Sequence, residues 1–225
     1  MASVTLYPSL DGRVGWNEGT QYDSFANARN HSGGDFSADD TSAQIAGVRV
    51  SMVLNSPLDK ADFFNRSIFV FTHSISPPVH IESVVFSVWV TNKNDGLSTS
   101  VSLVAATPAS DSALANTDFS TLGSTRFASD VSISSITTGQ YTDFTLNASG
   151  LSAIQTAING SSKIRLGLRL AIDLDNAYVE DTGGNSDITL YYSEQGGTPV
   201  TVNDPKLVIT YTETKGSALM TSLAF

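Results

Sequence analysis

Ile164-Arg165-Leu166-Gly167-Leu168-Arg169-Leu170-Ala171-Ile172-Asp173-Leu174 places a large aliphatic at every second position and a small or charged residue between. At the two-residue period of a strand, Ile164, Leu166, Leu168, Leu170, Ile172 and Leu174 share one face; a helical period of about 3.6 residues would scatter them around the axis. Arg165, Arg169 and Asp173 fall on the other face. One apolar and one charged face describe an antiparallel strand, because parallel strands are usually covered on both sides. The pattern predicts a strand over 164–174 with its aliphatic set buried and its charged set in water. On that reading Leu168→Ala costs about 2–5 kcal/mol and Arg169→Ala under about 1 kcal/mol.

Outward from this stretch the same alternation recurs. Val4 to Val14 reads as an opening strand interrupted by Pro8 to Gly12, and strands are expected over 45–54, 67–71, 81–91, 98–106, 141–146, 188–192 and 207–212. In 81–91, Val84, Phe86, Val88 and Val90 take one face, with Val85, Ser87 and Trp89 on the other. Asn94-Asp95-Gly96 is expected to turn this strand into a hairpin with 98–106, Asp-Gly supplying the positive φ of a tight turn. Pro77-Pro78 blocks strand continuation. Trp16 to Asp40 is rich in Gly, Asn, Asp and Ser and reads as an irregular excursion with short strand pieces. Asp111 to Ser135 offers weakly patterned strand fragments. Leu151, Ile154 and Ile158 recur at helical spacing between Ser149, a cap, and Asn159-Gly160, a stop, so 149–160 is the one expected helix. The sum is an all-β chain: a two-sheet antiparallel β sandwich of jelly-roll type with one short helix, residues 1–215 forming a single domain and 216–225 a C-terminal tail.

Composition narrows function. Of 225 residues, 12 are basic and 22 acidic, for a formal charge of −10 and no basic cluster, which argues against nucleic acid and anionic membrane as partners. No run approaches the roughly 20 apolar residues of a membrane-spanning helix, so no membrane insertion is expected. The absence of cysteine removes disulfides, thiolate nucleophiles and cysteine-bound metals together. Met1 to Pro8 lacks the charged and apolar regions of a secretory signal, so either the sequence is trimmed or the protein is made in a cytoplasm.

Catalysis requires a nucleophile with a base, a metal, or paired carboxylates in a cleft. His31, His73 and His80 lie in or beside turn-like segments without ligand spacing and read as solvated loop histidines. Gly183-Gly184 and Gly196-Gly197 lack the Lys-Ser/Thr of a phosphate loop and read as turns. Asp173, Asp175, Glu180, Asp181 and Asp187 are the densest acidic cluster; a structural Ca²⁺ is the one metal they suggest, but the spacing is not that of an EF-hand, and a solvated acidic loop is preferred, with no cofactor and no metal assigned. Trp16, Tyr22, Trp89 and Tyr178 are the aromatics set aside as weak sugar-stacking candidates, with Tyr191 and Tyr192 beside them; Trp89 is expected on an outer sheet surface.

The run Arg66-Ser67-Ile68-Phe69-Val70-Phe71, then Ser74-Ile75-Ser76-Pro77 and Val79 to Val88, resembles the opening block of the DNRLRE-type jelly-roll domains related to carbohydrate-binding modules. Asp143-Phe144-Thr145-Leu146 with the helix and the strand from Ile164 is similar to the next block, and Ser193-Glu194 with Asp204 to Tyr211 to the closing one. The likeness spans about residues 3–213 by segment order; the name-giving segment is absent, replaced by Asp11-Gly12-Arg13-Val14-Gly15-Trp16. Domains of this kind occur in polysaccharide-active enzymes, on cell surfaces and among bacteriophage structural proteins. The resemblance implies the fold; the lack of a secretory signal and of cysteine, with an apolar tail past the closing strand, leads to the expectation of a non-enzymatic structural surface protein of a virion, such as a bacteriophage capsid decoration or fibre-associated protein, made in the host cytoplasm. The alternative is an extracellular polysaccharide-binding module. Expected partners are other virion proteins and further copies of the chain, with surface polysaccharide beside them. Leu219, Met220, Leu223 and Phe225 of the tail lie past the expected closing strand and are the expected assembly contacts.

Overall fold

A computed structural model describes residues 1–17, 24–39, 45–53, 60–179, 182–193 and 203–214. In chain order the strands are β1 (Ala2–Leu6), β2 (Pro8–Asn17), β3 (Phe36–Asp39), β4 (Ile45–Val53), β5 (Lys60–Thr72), β6 (Val79–Asp95), β7 (Ser100–Ala105), β8 (Val131–Ser132), β9 (Gln140–Thr145), β10 (Lys163–Leu170), β11 (Gly184–Leu190) and β12 (Lys206–Glu213). Three α-helices accompany them among the described residues: α1 (Phe25–Arg29), α2 (Ala148–Gly160) and α3 (Ala171–Asp175). The fold is therefore all-β in its core, as the alternation predicts.

Every strand pairing is antiparallel, and one path runs β1-β12-β6-β11-β4-β5-β10-β7-β8, with β9 on β6 and β2, carrying β3, on β5. The longest strand, β6, spans two neighbours along one edge, β12 over Val79 to Ser87 and β11 over Val90 to Asp95. The sheet curls strongly. Phe69 of β5 and Phe86 of β6 are separated by two intervening strands, yet their rings meet edge-on at 5.0 Å, and Phe86 also meets Phe71 and Phe144. Such contacts form only when the apolar face closes over itself, and the core lies inside that curl.

The quoted stretch is strand only in its first part. Ile164, Leu166, Leu168 and Leu170 are buried and pair with β5 and β7, but the chain leaves the sheet after Leu170 and enters α3. Ile172 and Leu174 stay buried from the helical turn, which Asn176 closes in the left-handed conformation. The expectation of a charged face in water fails at the same place: Arg169 is 6% exposed and Asp173 2%. The physical reason is the bidentate contact of Arg169 Nε and Nη2 with the Asp173 carboxylate at 2.9 and 2.8 Å. Four residues of extended chain span about 13 Å, whereas one helical turn brings i and i+4 together.

Other expectations are adjusted. The 81–91 strand extends to 79–95 but forms no hairpin with 98–106: β7 pairs with β10 and β8, and Gly96 N–H goes to the Asn185 carbonyl. The positive φ falls on Ser98, not Gly96. Helix α2 is capped by the Asn147 side chain, which accepts from Gly150 N–H at 3.0 Å, rather than by Ser149. Gly150 is required there, since a Cβ would stand 2.6 Å from the Phe127 carbonyl oxygen. Within 16–40 the chain forms α1, with Phe25 and Ala28 buried at i, i+3, a helix too short for its period to show in sequence. His73 is buried, not solvated, and Nε2 donates to the Ser161 carbonyl at 2.9 Å.

Candidate functional site

The sugar-stacking candidates separate sharply. Trp16 is core, 3% exposed and packed edge-on against Phe64. Tyr178 lies stacked on Phe25 at 5.1 Å, and its hydroxyl accepts from Gly183 N–H, so that face of its ring is already taken. Tyr192 is buried, stacks on Phe69, and shares a 2.7 Å hydrogen bond with Ser67. Burial holds its hydroxyl neutral by raising its pKa. Tyr22 lies outside the described residues, as do Leu219, Met220, Leu223 and Phe225.

Trp89 is half-buried on the side of β6 away from the core, between buried Val88 and Val90. The register of β9 sets Tyr141 directly opposite it, and the rings meet edge-on at 5.2 Å. From β12, on the other edge of β6, Lys206 places its ammonium 3.7 Å from the Tyr141 ring centroid. Tyr141 donates to the Asp204 carbonyl at 2.9 Å; burial, with Tyr7 and Asp204 nearby, pushes its pKa up to about 12, so it remains a neutral donor. Asp143 and Thr145 are exposed on the same face of β9. An aromatic pair flanked by a cation and a carboxylate offers both an apolar surface and polar handles. Sequence reading found Trp89 but not Tyr141 or Lys206, because their meeting depends on strand register.

The second constellation was not foreseen. Arg66 of β5 lies next to the last β5–β10 pair, Ser67 with Leu168, and its guanidinium is 3.9 Å from the Phe119 ring. It donates to both Asp173 carboxylate oxygens, at 2.9 and 2.8 Å, and to the carbonyls of Phe119 and Arg29. Arg169 binds the same two oxygens, and Arg29 of α1 reaches the carbonyls of Asp173 and Leu174. Burial raises the Asp173 carboxyl pKa, but the opposing pull of Arg66 and Arg169 is larger and holds it at about 2. Asp173 therefore belongs neither to a solvated loop nor to a Ca²⁺ site. Asp175 pairs with Arg126, and Asp187 accepts from Asn185; Glu180 and Asp181 lie outside the described residues.

Two further buried carboxylates, Asp118 and Asp11, are held by backbone amides. Asp118 accepts from the N–H groups of Ala109 and Ala115, both at 2.8 Å, and Asp11 from Ser193 N–H and hydroxyl. Among the described residues no group of three or more His, Asp or Glu side chains is arranged to hold a metal, and no helix is long and apolar enough to cross a membrane. Two cavities of about 490 and 540 Å³ flank α2. The first contains the Arg165–Asp111 pair and the second the hydroxyls of Ser124, Thr125, Ser149 and Ser152. Compared with known families and curated proteins, the chain matches no family model and no curated protein.

Proposed function

We propose that this chain is a non-enzymatic structural surface protein of a virion, a capsid decoration or fibre-associated protein of a bacteriophage, with a jelly-roll sandwich of the DNRLRE type. The observation that supports the non-enzymatic part is the fate of three buried acids: Asp11, Asp118 and Asp173 are bound by backbone amides, a hydroxyl or arginines, leaving none of the three poised against a nucleophile. The virion part draws on the order of the resembling segments and the apolar tail, and the jelly-roll part on the closure of the sheet over Phe69 and Phe86. Copies of the chain and other virion proteins are the partners, met after synthesis in the host cytoplasm. Mass spectrometry of density-purified particles from the source culture should find the chain at a fixed stoichiometry, exposed to antibody on intact particles. Its presence only in the particle-free supernatant would overturn the reading.

A second reading, an extracellular polysaccharide-binding module, is favoured by the Trp89–Tyr141–Lys206 face. A glycan array probed with the purified chain tests it. The expected result is retention of a polysaccharide that Trp89→Ala weakens about tenfold, as loss of a stacking surface worth roughly 1.4 kcal/mol. Equal retention by the variant removes this face from consideration. Neither reading allows turnover, so hydrolysis of a polysaccharide by the chain, abolished by a single carboxylate-to-amide change, would contradict both.

A further inference from the structure

Beside the arginine cluster is a cavity of about 200 Å³ whose wall includes Arg29, Arg66, Arg169, His31 and the polar side chains of Asn30 and Ser120. Among the described residues no carboxylate contributes to that wall, although Asp and Glu outnumber Lys and Arg by 22 to 12 in the whole chain. The carboxylate that gathers the three guanidiniums, Asp173, offsets only one of their charges. An excess of cation in a partly desolvated place is costly unless an anion shares it.

The donors have capacity to spare. A guanidinium carries five N–H groups. Arg66 commits most of its own to Asp173 and to two carbonyls. Arg169, by contrast, uses Nε and Nη2 on Asp173, while its Nη1 reaches only the Gly123 carbonyl at 3.5 Å. Arg29 Nη1 makes one contact, to the Asn30 side-chain oxygen at 2.6 Å. His31, exposed at the edge of the cavity, holds its ring by donating from Nδ1 to the Gly33 carbonyl at 2.6 Å. The guanidiniums are thus fixed in place before any ligand arrives, Arg66 and Arg169 by the shared carboxylate and Arg29 by the α3 carbonyls, the preorganisation that oxyanion recognition rewards.

We infer that this cavity binds an oxyanion group, a carboxylate, sulfate or phosphate, through the Arg29 and Arg169 guanidiniums. The space admits one such group, either a free inorganic ion or the acidic substituent of a sugar. The inference rests on the cavity alone and stands apart from the virion reading.

The experiment is a calorimetric titration of the full chain at pH 7 and constant ionic strength, with sulfate, phosphate and an oligoglucuronate, against a chloride control. Saturable binding of at least one is expected. Asn30→Asp keeps the acceptor that Arg29 uses and adds a negative charge at the wall; it should weaken binding at least about tenfold and leave the anion-free melting temperature nearly unchanged. His31→Glu, an exposed substitution, supplies the same test should the first variant fold poorly. Tighter binding of oligoglucuronate assigns the site to an acidic sugar, and tighter binding of sulfate or phosphate to a free ion. No saturable response beyond chloride, or undiminished affinity in both variants, would overturn the inference.

Discussion

Arg165 and Arg169 project from the same face of the same strand, one helical turn's worth of sequence apart, and come to opposite ends. Arg165 pairs bidentately with Asp111 at 2.6 and 2.7 Å, with both side chains about a third exposed. Arg169 pairs with Asp173 at comparable distances, but its carboxylate is also held by Arg66 and is shut away from water. Geometry is alike in the two pairs and the dielectric surroundings are not. An exposed pair gains little because water already solvates both charges, whereas breaking a buried pair strands a charge that nothing else neutralises.

The sharpest way to break this comparison is to remove the shared carboxylate. Asp173→Ala leaves Arg66 and Arg169 buried without their anion and should lower stability by about 3–5 kcal/mol in urea unfolding. Arg169→Ala removes charge-assisted hydrogen bonds but leaves Asp173 on Arg66, and should cost about 1.5–3 kcal/mol, more than the under-1 kcal/mol expected of a solvated residue. Leu168→Ala, on the apolar side of the same strand, should cost about 2–5 kcal/mol through its cavity, making the two faces of β10 energetically similar. If Arg169→Ala proves as mild as a surface change, the Arg169–Asp173 contact contributes nothing to stability.

Acid sharpens the contrast further. The Asp173 pKa is depressed from 3.8 to about 2, so its contribution is fully present above about pH 4 and is lost as pH falls through 2. The loss amounts to roughly 2–3 kcal/mol across that window. Unfolding free energies from pH 5 down to 2 should show this component in the parent and lack it in Asp173→Asn. The smallest effect belongs to the exposed pair: Asp111→Asn should cost under about 1 kcal/mol and shrink further in high salt. A larger loss there would erase the distinction between the two pairs.

The same contrast shows how far each feature was legible beforehand. Alternation located β10, β6 and their buried sets, and helical spacing located α2, because both signals are local and repeat along the chain. It did not place Trp89 against Tyr141, 52 residues further on, or Lys206 over the Tyr141 ring, because these contacts arise only through the registers of β9 and β12. Nor did it find α1, whose single turn is held by the Ser24 cap and burial of Phe25.

For the stretch that opened the reading, sequence by itself determined an antiparallel strand and the burial of all six aliphatics, since hydrophobic burial follows the side chain's own chemistry and the backbone period. Only the tertiary structure decided the fate of its charges. Whether an arginine meets water or a carboxylate depends on what distant segments bring to it: Arg66 is 107 residues from Asp173, and Arg29 is 144. Their arrival turns a predicted solvent face into a buried cluster. Ion pairing and desolvation are properties of the assembled surroundings and leave no period in the chain.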